Sequence, residues 1–178
     1  MLSGTTSEPD ESRRLSDVLN TVGDELLLTQ VTIRSLDGTV LEDCPTMLIR
    51  KPDILLVIPR ESAEQIVQRR RQRFGISARG ASPAAVLLVV PPYVARGVVQ
   101  LPSSTDLRGG LSGLSRFFPL LDAEVQREGR LVEAAPVILV NRAAVVALGR
   151  RDETVQANQT ASQGRVLRPD SFRQSRSA

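Results

Sequence analysis

From residue 25 the chain alternates along an extended backbone: Leu27, Thr29, Val31 and Ile33 fall on one side and Leu28, Gln30, Thr32 and Arg34 on the other. From residue 117 the alternation returns, with Leu121, Ala123 and Val125 on an apolar side and Asp122, Glu124 and Gln126 on a polar one. A period of two predicts a half-buried strand at each place. Gly38, in Leu36-Asp37-Gly38, and Gly129, in Arg127-Glu128-Gly129, then mark turns. Beyond them lie apolar runs at 47–49 and 138–140. A polar tetrad follows each run, Arg50-Lys51-Pro52-Asp53 or Asn141-Arg142-Ala143-Ala144, and then a second apolar run at 54–58 or 145–148. These runs are too short for helices and too apolar for loops, so they are read as strands.

The two stretches, 25–58 and 117–149, align after a single gap in the turn, with Gly38 on Gly129, Glu42 on Glu133 and Pro45 on Pro136. An internal duplication is the expectation. Upstream of the first, Leu15, Val18, Leu19 and Val22 form the stripe of a short amphipathic helix, and Leu107, Leu111 and Leu114 stand at corresponding places in the second. Residues 86–90 and 93–101 read as two further strands joined at Pro91-Pro92, with Tyr93, Ala95, Val99 and Leu101 on one face. Nothing similar precedes the first copy, which is therefore read as truncated, its exposed sheet edge needing a cover.

Between the copies, Ser62 with Gln65 makes a capping box, and Ala63, Ile66, Val67 and Phe74 are apolar. This predicts a helix carrying Arg69, Arg70, Arg71 and Arg73. The expected organisation is a disordered 1–12, a truncated β-rich copy at 13–60, a basic helix and linker at 61–82, a complete β-rich copy at 83–150 and a disordered tail at 151–178. The expected fold class is α+β and β-rich, with two small barrel-like modules, the first truncated, joined by the basic helix.

Composition narrows the chemistry. The 178 residues include no His and no Trp, and a single Cys, Cys44. Ser-His-Asp and Cys-His catalysis are thereby excluded, as is a thiolate metal cluster. Cys44 follows Glu42-Asp43, acidic neighbours that blunt a thiol, and its counterpart Ala135 suggests a packing position. Glu42 and Glu133 recur beside a turn, and Asp122 with Glu124 lies on an outward strand face, where solvated acids are ordinary. Arg108-Gly109-Gly110-Leu111-Ser112-Gly113 lacks the Gly-Lys-Ser/Thr ending of a phosphate loop. No enzyme, cofactor or metal is expected. The longest apolar run, 84–90, falls short of the roughly 20 residues a spanning helix needs, and the polar, acidic start is unlike a signal peptide. The expected location is the cytoplasm.

At Leu15-Ser16-Asp17-Val18-Leu19-Asn20, and again at Phe118-Pro119-Leu120-Leu121-Asp122-Ala123 with Val140-Asn141-Arg142, the chain resembles an uncharacterised bacterial domain family. That family shows an Arg-Leu-Ser-Asp-x-Leu-Asn segment, a Phe-x-Pro-x-Thr-Asp-Ala strand and a closing Val-Asn-Lys/Arg strand. The resemblance implies no activity. Ile49-Arg50-Lys51-Pro52-Asp53 is similar to the polar corner between the last two strands of Sm-like small β-barrels. That resemblance implies RNA binding within a ring. The expected function is a non-catalytic interaction or scaffolding module that self-associates through its incomplete first sheet, the expected partner being another protein or further copies of the chain. The alternative is a nucleic-acid-binding protein, with Arg69, Arg70, Arg71, Arg73, Arg50, Lys51 and Arg142 as candidate polyanion-binding residues.

Overall fold

Two long, bent hairpins carry the architecture. The computed structural model describes residues 1–6, 15–35, 37–59, 81–102 and 107–151. In order these form β1 (Leu2–Thr6), α1 (Leu15–Asn20), β2 (Glu25–Arg34), β3 (Val40–Arg50), a 3-10 turn (Lys51–Asp53) and β4 (Leu56–Val57). Then come β5 (Ala81–Val90), β6 (Tyr93–Pro102), α2 (Leu107–Ser112), β7 (Phe117–Arg127), β8 (Arg130–Asn141), a second 3-10 turn (Arg142–Ala144) and β9 (Ala147–Arg150). The protein is β-rich, with two antiparallel sheets ordered β1-β2-β3 and β4-β8-β7-β6-β5-β9. No helix among the described residues is long and apolar enough to cross a membrane.

Neither sheet closes into the expected barrel. The six-stranded sheet ends in β4 and β9. To close it, β9 would have to pair with β4, whereas β4 pairs with β8 through Leu56↔Val140 and Val57↔Leu139, and β9 with β5.

The hairpins β2–β3 and β7–β8 follow one plan. With Pro45 matched to Pro136, their pairings correspond: Leu28↔Met47 to Leu120↔Ile138, Thr29↔Thr46 to Leu121↔Val137, Val31↔Cys44 to Ala123↔Ala135. Opposite each proline sits a non-glycine residue in the left-handed region, Gln30 at φ 51° and Asp122 at φ 46°. Proline brings no amide hydrogen to a ladder, so this is where an irregular pair costs least. The irregularity flips the alternation on both strands. Leu26, Leu28, Val31 and Ile33 turn inward on β2, as do Phe118, Leu120, Ala123 and Val125 on β7. The single uninterrupted phase expected from Leu27, Thr29, Val31 and Ile33 is thus corrected at Gln30, and Leu27 is exposed. The prolines do not end their strands, which run on through them to Arg50 and Asn141.

A β-bulge accompanies each kink. Gln30 and Val31 together face Gly4 of β1, and Asp122 and Ala123 together face Gly97 of β6. A Cβ at Gly97 would lie 2.6 Å from the Leu121 carbonyl oxygen and 2.8 Å from Leu120 Cγ, so only glycine fits. At Gly4 the nearest approaches are 3.1 Å to Val31 Cγ2 and 3.2 Å to the Thr29 oxygen.

The turns differ. Glu128 (φ 51°) and Gly129 (φ 76°) form a two-residue turn of the I′ kind between Arg127 and Arg130. The first hairpin has a longer loop closed by Ser35 N–H to the Thr39 oxygen at 2.9 Å. There the Ser35 hydroxyl and the Thr39 amide donate to Asp37, holding its carboxyl down at about 2.

Two expectations at the N-terminal end are corrected. Residues 1–12 are not structureless throughout, because Leu2–Thr6 pairs with β2 from Leu2↔Ile33 to Thr6↔Leu28. The alternation in Leu-Ser-Gly-Thr-Thr is too thin to reveal a strand; the partner supplies its ladder. α1 stops at Asn20, which leaves Val22 outside the stripe and exposed. The expected basic helix at 61–82 lies outside the described residues up to position 80, and β5 already occupies 81–82. The tail lies outside them beyond Arg151.

Two cores result. Val86, Leu88, Val90, Ala95, Val99, Leu101, Phe118, Leu120, Ala123, Val125, Ile138 and Val140 fill the large sheet, and Leu55, Leu56 and Ile58 pack against them. The second core joins the units: Val18 and Leu19 of α1 and Leu26 of β2 meet Phe117 and Leu139. Among the described residues β1–β4 therefore has no core of its own; the outer face of β7 and β8 completes it.

Candidate functional site

The polar tetrads are the natural starting point, because the sequence reading placed Arg50, Lys51 and Arg142 there as polyanion contacts. The last three residues of each tetrad form a 3-10 turn, whose first residue ties the sheet to the preceding helix and to the segment that follows that helix. Lys51 donates its backbone N–H to the Asp24 oxygen at 2.6 Å, and Arg142 donates its own to the Arg116 oxygen at 2.7 Å. The Lys51 ammonium reaches the Val18 oxygen at 3.2 Å, the Thr21 oxygen at 3.4 Å and the Thr21 hydroxyl at 3.1 Å. Arg142 sends Nη1 to the Ser112 and Leu114 oxygens at 2.7 and 2.5 Å. A cation on the last carbonyls of a helix is a capping arrangement. Lys51 is only 2% exposed. It presents no charge to a polyanion, and that expectation is corrected on this ground; Arg142 is half-buried, with its Nη1 engaged by the two carbonyls. Arg50 is exposed, its Nε 3.8 Å from the Asp53 carboxylate. Arg69, Arg70, Arg71 and Arg73 lie outside the described residues.

The acids and the thiol converge on no common point. Asp122 is exposed at its kink, Glu124 faces Arg96 across the β6–β7 ladder, and Glu133 faces Val125 across β7–β8. Glu42 lies opposite Ile33 and Asp43 opposite Thr32, and half-buried Cys44 directs its Sγ to the Thr46 oxygen at 2.9 Å.

What the tetrads do build is a junction between the two units. Asn141 is fully buried. Its Nδ2 donates to the carbonyls of Ile54 (2.8 Å), Pro52 (3.3 Å) and Lys51 (3.4 Å), its Oδ1 accepts from Ala143 N–H, and its own N–H bonds the Leu55 oxygen at 3.0 Å. One side chain thus bonds three carbonyls in and just after the first 3-10 turn, of which that of Lys51 also accepts the Ile54 N–H. Asn20, the last residue of α1, acts as a substitute strand neighbour for Phe117: it donates to the Phe117 oxygen at 2.9 Å and accepts from its N–H at 2.8 Å. Arg116 and Asp24 add a 2.7 Å ion pair at the rim. The sequence marked Asn20 and Asn141 only as parts of short motifs. A polar residue closing an apolar strand was the sole signal of a junction.

The first unit repeats the receiving edge of this junction, and among the described residues no strand covers it. Leu48 on β3 matches Leu139 on β8, Ile49 matches Val140, and Arg50 matches Asn141. Leu139 is 3% exposed beneath Val57 and α1, whereas Leu48 is 59% exposed. β3 spans 11 residues, is the end strand of its sheet, and exposes Val40 and Leu41 as well. A long end strand with apolar side chains is a pairing template unless something covers it. β9 ends the other sheet. These two edges are the candidate interaction surface. Comparisons with protein-family models, with curated proteins and with solved structures found no match for the chain.

Proposed function

We propose that this protein is a non-catalytic interaction or scaffolding module built from an internally duplicated unit, and that it self-associates through its three-stranded sheet. The observation that carries the reading is the contrast between Leu139, sealed at 3% exposure, and Leu48, at 59% in the matching position. A strand edge that is filled from within the chain in the second unit stands open in the first, among the described residues. The duplication is supported by the shared pairing of the two hairpins, the kinks at Gln30 and Asp122, the glycines facing the bulges and the basic residue capping each helix. The first unit would then have counterparts of β6, α2, β7, β8 and β9 in β1, α1, β2, β3 and β4. Among the described residues it has no counterpart of β5.

Light scattering on size-fractionated protein tests the reading. Average mass should rise above the 19.4 kDa of one chain as concentration increases. A mass that stays at one chain up to millimolar protein would overturn it.

A further inference from the structure

We infer that β9 of one molecule pairs antiparallel with β3 of a second copy of this chain, joining molecules head to tail. The inference rests on the self-association reading and names its contact. The template lies inside the chain. β4 follows the first 3-10 turn and adds to the outer edge of β8; β9 follows the second 3-10 turn at the matching place. β3 matches β8. The chain therefore uses this strand contact once internally, and carries one more donor strand and one more receiving edge that it does not pair with each other.

The register follows from the internal contact. Leu56↔Val140 and Val57↔Leu139 become Ala147↔Ile49 and Leu148↔Leu48, the second residue of each pair belonging to the second copy. Side-chain directions agree with this. Leu56 packs into the core of the unit that receives it and Val57 into the core that joins the two units. Ala147 is correspondingly exposed and ready to face the second copy, while Leu148 packs inward, where Leu48 of the second copy would join it. Charges agree too: Arg150, the last residue of β9, and Arg151 after it run toward Asp43 and Glu42 of the receiving β3.

The contact between molecules is weaker than the one within. Where β7 and β8 offer Phe117, Val137 and Asn141, the first unit offers Glu25, Thr46 and Arg50. The apolar plug and the amide that satisfies three carbonyls are both missing, so assembly is reversible and concentration-dependent. Donor and receiver are different surfaces, so the contact is heterologous and repeats into a ring or a filament.

Disulfide trapping in a Cys44→Ser background tests the contact. Ile49→Cys chains mixed with Ala147→Cys chains should give a mixed dimer under mild oxidation, and a chain carrying both should give a ladder of multimers. Directly opposed residues of an antiparallel pair lie within disulfide reach. Because cysteine at half-buried position 49 could perturb folding, Leu48→Lys and Ala147→Lys, both at exposed sites, provide a second measurement. Each should lower the association constant at least tenfold by light scattering. Association that persists with only 49–49 or 147–147 dimers, or that is unchanged in the lysine variants, overturns the β9–β3 contact and leaves self-association standing. A single-chain mass at every concentration overturns both.

Discussion

Leu139 and Leu48 occupy matching positions on two hairpins of the same pairing pattern, yet one is sealed in a core and the other faces water. The side chains are identical and so is the local backbone plan. What differs is the neighbour. β8 has β4 along its edge and α1 over its outer face, and among the described residues β3 has no strand there. A residue's burial here is set by which strand reaches it, a tertiary fact that its local sequence does not contain.

The largest test of that contrast is truncation at the two leucines. Leu139→Ala should cost about 2–5 kcal/mol in urea unfolding of dilute protein, the range for an emptied core position. Leu48→Ala should stay within about 0.5 kcal/mol, as exposed sites do. The flanking pair sharpens it. Asn141→Ala orphans carbonyls at about 1–3 kcal/mol for each left without a partner, and Arg50→Ala orphans none. Equal losses at Leu48 and Leu139 would remove the distinction between the two edges.

A smaller effect separates the bulges. Gly97→Ala forces a Cβ onto the Leu121 carbonyl and should cost about 1–3 kcal/mol, as overpacking does. Gly4→Ala meets looser neighbours and should cost less, because β1 is an end strand able to shift. Thermal melts of the two variants, compared at one concentration, would show whether the second unit is the stiffer. The smallest effect concerns the first turn alone. The Asp37 carboxyl is lowered from 3.8 to about 2, so its stabilising contribution is complete above 3.8 and disappears as pH falls through about 2. Asp37→Asn should therefore destabilise slightly at neutral pH, with the difference from the parent protein closing in acid titration followed by circular dichroism.

Much of the fold could be read from the chain. Gly38 and Gly129 marked the turns, and both have positive φ. Tyr93, Ala95, Val99 and Leu101 were placed on one face and do line one core. On β7 the expected inward Ala123 and Val125 and outward Asp122 and Glu124 hold; on β2 the phase before Gln30 differs, because alternation assumes an unbroken pleat and nothing in Thr29-Gln30-Val31 announces a left-handed residue. The helix and strand patterns of the first unit were legible, but β1 was not: with one leucine in five residues it depends on β2 for its ladder. The tetrads were noticed as polar corners. Their work, with Lys51 and Arg142 directed at helix carbonyls and Asn141 at a neighbouring turn, requires knowing what lies within 3.5 Å of them. A linear sequence gives no such distances.

The position of Lys51 has a practical side. It is the only lysine in the chain, and its amine is enclosed and engaged with Val18 and Thr21. Reagents that acylate lysine amines should therefore leave the folded protein's side chains untouched. Labelling at position 51 would record the separation of α1 from the turn beside it, a single-site clock for the opening of the first unit.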